Sequence, residues 1–189
     1  MEIRLDDAFM ILAHLFNTSF DVVYGTSCEY NQDTKTVYIN HFESWIEQIM
    51  GAAREVMHHH QHEEGRGTHG EDMEFYKRCK LAMIKDPKLL WLQRSEPNEV
   101  EANAFCKVFA DRLLKFAHDN KMLTTYKYRK LLAEAVDILA LTTNDPTDFY
   151  TNAQNQKVLD KEKVVYRTLE AKYGNDITLL LTKKFASIA

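Results

Sequence analysis

Apolar residues recur at helical spacing at Leu5, Ala8, Phe9, Leu12 and Leu15, which predicts a helix over residues 5–17. The pattern then changes. Phe20 to Tyr24 (FDVVY) and Thr36 to Ile39 (TVYI) are dense in aromatic and β-branched residues, and NQDTK between them is turn chemistry, so both read as strands. Helical spacing returns over residues 43–62. Residues 63–71 (EEGRGTHGE) read as a loop, and residues 72–85 as a helix that stops before Pro87. Asn98 is a favourable N-cap, and Glu101 three residues on completes a capping-box pattern. That helix runs to about Lys121, with Ala102, Phe105, Phe109, Leu113 and Phe116 along one stripe. Tyr126–Leu141 is a further helix, TTNDPTD a break, Lys157–Lys172 a charged helix and Ile177–Ser187 a last one. The expected class is α+β, mostly helical, with a small N-terminal sheet.

The helix over 43–62 carries the densest chemistry. Wound at about 100° per residue, it gathers Trp45, Ile46, Ile49, Met50, Ala53, Val56 and Met57 on one face. His60 falls on that face and is expected at the core or its edge. The opposite face holds Gly51, Arg54, Glu55, His58 and His62, with His59 off its centre. His58 and His62 are four apart, a spacing that lets two imidazoles meet one ion. The plain alternative is a solvated polar face, as any amphipathic surface helix shows.

The string Arg54-Glu55-Val56-Met57-His58 is H-E-x-x-H with its first position changed. In the intact motif two neutral imidazoles hold zinc, and the glutamate takes a proton from the zinc-bound water. Arginine keeps its proton and offers no lone pair, so Arg54 cannot be a ligand. The pair Glu55-x-x-His58 also fits half of a di-iron site, but no second such pair is present on another helix.

Composition narrows the picture little. A chain of 189 residues, 45% hydrophobic and 28% charged, is ordinary for a globular protein. The formal charge of −4 gives no strong nucleic-acid footprint, and Lys127, Arg129 and Lys130 read first as a solvated helix face. Three cysteines without a CxxC pair fit free thiols. The start, MEIRLDDAFMILAHLF, lacks the basic head and apolar run of a signal peptide, and no stretch is long enough to span a bilayer. The expectation is a cytoplasmic protein without a membrane anchor.

Three segments, in order, resemble the ImmA/IrrE family of zinc-peptidase-like proteins. DVVYG and KTVYIN resemble its short strands. GAAREVMHHHQHEE resembles its A-H-E-x-x-H-x-x-x-H helix. NEVEANAFCKVFADRLL, residues 98–114, resembles its E-x-x-A-N-x-F-A-x-x-L-L helix through Glu99, Ala102, Asn103, Phe105, Leu113 and Leu114. The resemblance covers residues 5–116. It implies a zincin-like core over 1–120, with 121–189 as a helical C-terminal extension packed on it. It matches Glu55 to the catalytic base, His58 to the second zinc histidine and Glu99 to the third ligand. Arg54 replaces the first histidine, and Cys106 stands where the family has alanine. Family members cleave or inactivate transcriptional repressors, often on mobile elements or in stress responses.

Two readings fit this pattern. In one, chemistry is lost and the chain is a regulatory pseudopeptidase that binds a protein partner, with Arg54, Glu55 and Asn103 in the binding site and Arg54 paired with Glu55 or Glu99. In the other, a rearranged zinc site of His58, His62 and Glu99 serves a metallopeptidase acting on a regulator such as a repressor, with Glu55 as base or fourth ligand. A third, plainer reading is a helical interaction protein that works through its C-terminal helices.

Overall fold

A computed structural model describes residues 3–66, 77–79, 81–82, 84–140 and 148–186. The elements are α1 (Leu5–Phe16), β1 (Asp21–Gly25), β2 (Glu29–Asn31), β3 (Thr36–Asn40), α2 (Trp45–Glu63), a 3-10 turn (Pro87–Leu89) leading into α3 (Leu90–Arg94), α4 (Pro97–Asp119), α5 (Thr125–Leu139) and α6 (Phe149–Phe185). The fold is mostly helical with a small mixed sheet, as the patterning predicts. The sheet order is β1-β3-β2, with β1 parallel to β3 and β2 antiparallel to it. The short strand β2 has too few residues for alternation to show, and the pattern misses it.

Local chemistry sets the helix starts. Ser44 caps α2: its hydroxyl accepts from the Glu47 N–H, and the Glu47 carboxylate accepts from the Ser44 N–H at 2.7 Å. Helix α4 begins two residues earlier than the capping-box pattern predicts. Its cap is Glu96, and Pro97 occupies the first helical position, where no N–H is needed. Asn98 and Glu101 are thereby released to bond outward.

The core forms between α2 and α4. Ile46, Ile49, Met50, Ala53, Val56 and Met57 are buried, as are Phe105, Phe109, Leu113 and Leu114 across from them. Each such side chain stabilises the fold by roughly 1.5–3 kcal/mol through removal from water. Leu169, Tyr173, Ile177, Leu181 and Phe185 of α6 join the same cluster, so the C-terminal helix completes this core.

Helix α6 corrects the sequence expectation of two helices, 157–172 and 177–187. It is continuous through Gly174, which lies against Arg112 of α4: a Cβ there would sit 2.7 Å from the guanidinium. Glycine is retained for close approach rather than as a breaker. The predicted loop over 63–71 and helix over 72–85 fall largely outside the described residues, as does His69; residues 77–79, 81–82 and 84–85 are helical. No helix among the described residues is long and apolar enough to cross a membrane.

Candidate functional site

At its centre helix α2 keeps only a narrow, half-buried strip open to solvent, at Gly51, Arg54 and His58. Its apolar stripe meets the core, and α4 covers the other side, so Glu55 is only 3% exposed and Glu99 only 5%. Two carboxylates removed from water require compensation. Arg54 supplies it. Its Nη1 donates to Glu55 Oε1 at 2.6 Å, and its Nη2 donates to Glu99 Oε2 at 2.5 Å. The flat guanidinium fork spans two carboxylates on neighbouring helices, which the compact ammonium of a lysine would not do as well.

His58 completes the cluster. Its Nε2 lies 3.8 Å from Glu99 Oε2. Its Nδ1 is 2.9 Å from Gln61 Oε1. The Gln61 amide nitrogen donates to the Asn98 carbonyl at 3.0 Å and to Glu101 Oε2 at 2.9 Å, which orients the amide with its oxygen toward His58. His58 Nδ1 is therefore the donor to Gln61, which leaves Nε2 as the ring nitrogen facing Glu99. Gln61, 1% exposed, is the residue that sequence reasoning overlooked. Its place at i+3 from His58 was the available signal.

Charge shapes the proton affinities here. Burial alone would raise the Glu99 carboxyl, but the Arg54 cation, His58 and hydrogen bonds from Arg54 and Gln93 hold it below the ordinary range. Burial opposes the charge on Arg54, yet Glu55 and Glu99 together keep it firmly protonated. Cys106, fully enclosed nearby, is pushed up to about 12 by burial, so it is an inert thiol here.

The other predicted residues separate. His62 turns toward the sheet, its Nδ1 3.5 Å from the Tyr30 hydroxyl. Asn103 is buried, at 7% exposure, one helical turn beyond Glu99 on α4. His59, placed on the polar face off its centre by the helical wheel, is fully buried. Its ring bridges Thr18 Oγ1 at 2.6 Å and the Tyr30 hydroxyl at 2.8 Å, and burial holds it below the ordinary histidine range. His60 sits at the core edge, stacked on Phe16 with ring centroids 4.2 Å apart. Opposite Gly51 lies Cys28: a Cβ on Gly51 would stand 2.9 Å from the Cys28 sulfur. Cys28, Cys79 and Cys106 are free thiols.

The donor set fits zinc poorly. The cationic guanidinium occupies the space between the two carboxylates that the resemblance assigns as base and third ligand. A divalent ion there would have to displace it. Among the described residues, no group of three or more histidine, cysteine, aspartate or glutamate side chains is arranged to hold a metal ion. No family model, no curated protein and no solved structure matches the chain.

Proposed function

We propose that the chain is a regulatory protein-binding module on a zinc-peptidase-like frame, in which Arg54 is a built-in cation standing where the metal's charge would be. The observation that supports this reading is the double ion pair of Arg54 with Glu55 and Glu99. A cation fixed by covalent attachment keeps two buried carboxylates compensated with no ion to load or lose. It also leaves no Lewis acid to activate water, so the module binds a partner protein without cutting it.

Zinc analysis of untagged protein, together with Arg54→His, tests this. Wild type is expected to purify without stoichiometric zinc, and Arg54→His to gain zinc affinity, since it restores a neutral imidazole four residues before His58. Stoichiometric zinc in wild type that is lost in His58→Ala, with chelator-sensitive cleavage of a repressor, would establish the rearranged metallopeptidase instead. Unchanged zinc affinity in Arg54→His would show that Arg54 is not the substitute cation.

A further inference from the structure

The basic face of α5 lies on a different part of the molecule, so its chemistry is independent of whether Arg54 replaces a metal. Between Asp119 and Glu134 the chain carries Lys121, Lys127, Arg129 and Lys130 and no carboxylate, although the whole chain is at −4. Helix α5 is fixed by its inner face. Leu131 and Ala135 are buried, and Tyr128 stacks on His118 of α4 with ring centroids 4.6 Å apart. That packing turns Tyr126, Lys127, Arg129 and Lys130 outward, with Tyr126 80% exposed.

Three features set these cations apart from a solvated charge run. First, Lys127, Arg129 and Lys130 make no ion pair among the described residues. Second, the natural i,i+4 partner of Lys130 is Glu134, and Glu134 instead accepts a hydrogen bond from the Ser44 hydroxyl at 2.5 Å. Third, Lys127 lies in the first turn of α5, where the helix dipole is positive and a cation is unfavourable; that turn contains no acidic residue. On α6, by contrast, Lys157 and Lys161 are interleaved with Asp160 and Glu162, and Lys163 pairs with Asp160. Unpaired like charges beside a helix N-terminus are destabilising in the isolated chain, and an external anion relieves them.

We infer that the exposed face of α5 docks a short acidic polypeptide segment, its carboxylates on Lys127, Arg129 and Lys130 and an apolar side chain against Tyr126. Lys127 and Lys130 are about 4.5 Å apart along the helix axis, so two or three neighbouring carboxylates of an extended segment match them. A nucleic acid strand is a poorer match. It would carry a long run of phosphates past a molecule that is negative elsewhere.

Fluorescence anisotropy with a labelled, N-acetylated hexaglutamate at low ionic strength tests the inference. Wild type is expected to bind, and more weakly as salt is added. Lys127→Ala/Lys130→Ala is expected to bind about fivefold more weakly, the size that a few exposed ion pairs supply. Lys157→Ala/Lys161→Ala, which removes the same charge from α6, should leave binding unchanged. Lys127→Glu should raise the melting temperature while weakening the probe further. Equal weakening by the two double variants would assign the effect to net charge and overturn the proposal. So would tighter binding of hexathymidylate than of hexaglutamate, absence of binding, or a lower melting temperature in Lys127→Glu.

Discussion

Arg54 and Arg94 are each held against buried carboxylates, and they are built differently. Arg94 ends α3. Its Nε and Nη2 donate to the two oxygens of Glu162 on α6 at 2.7 and 2.8 Å, and Nη2 also reaches the Leu139 carbonyl. One cation meets one anion, and both side chains are about 10% exposed or less. Arg54 meets two anions, is 28% exposed, and has an imidazole nitrogen beside one of them. The first arrangement is balanced and ties three elements together. The second carries one more carboxylate than it has guanidinium groups, at a place open to solvent on one side. A staple has no need of that excess, which is what the proposed reading of Arg54 as a substitute cation accounts for.

The largest effect should come from removing each cation in turn. Arg54→Met strands two carboxylates and is expected to cost about 5 kcal/mol, at the upper end for broken buried pairs. Arg94→Met strands one and should cost about 3 kcal/mol. Urea unfolding at neutral pH, followed by tryptophan fluorescence, measures both. An equal or smaller loss in Arg54→Met would remove the distinction between the two sites.

A second pair of variants sharpens the same contrast. Arg94→Met/Glu162→Leu replaces a whole pair by apolar groups and should return to within about 1 kcal/mol of wild type, because no charge is left without a partner. Arg54→Met/Glu99→Leu still leaves Glu55 buried and should remain about 2–3 kcal/mol below it. Recovery by both doubles alike would mean that Glu55 is compensated by something other than Arg54.

The sequence makes the elements of this comparison legible and leaves their geometry hidden. Arg54-Glu55-x-x-His58 and Glu99 are visible as a broken motif with a distant partner, and the structure does bring these four side chains together. Helical patterning locates α1 and α2 because each has a periodic apolar face, and the density of aromatic and β-branched residues locates β1 and β3. The wheel fails at His59. It weighs one helix against one core, whereas α2 is also covered by Tyr30 of β2 and by Thr18 in the connection after α1, and these bury the ring. Gln61 escapes notice for a related reason: its i+3 spacing from His58 is visible, but the bonds to Asn98 and Glu101 on α4 that orient its amide are not. The break expected between residues 172 and 177 is absent, because Gly174 in that interval answers to the guanidinium of Arg112, far away in the chain. Arg94 and Glu162 carry no local signature of their pairing at all.

The smallest effect is in pH dependence, and its sign is the sharpest discriminator. In wild type the Glu99 carboxyl is held below its ordinary value of 4.5. A depressed folded-state value contributes stability that is present above the unfolded value and is lost as pH falls through the folded one. Acidification below about pH 4.5 should therefore destabilise wild type through this group. In Arg54→Met the cation is gone and burial alone acts on Glu99, raising its carboxyl above the unfolded value. The folded state then takes up the proton more readily than the unfolded chain, so stability should rise by about 1–2 kcal/mol as pH falls from about 7 toward 5. His59 acts in the same direction in both proteins: buried and held below the ordinary histidine range, it favours unfolding as pH falls under about 6.5. Its contribution cancels when the two are compared at each pH. The quantity to measure is thus the difference between the wild-type and Arg54→Met unfolding free energies across that range. A difference that narrows on acidification is what a guanidinium compensating Glu99 requires. A constant difference would mean that the cost of Arg54→Met is lost packing, and that the carboxylates are held by other means.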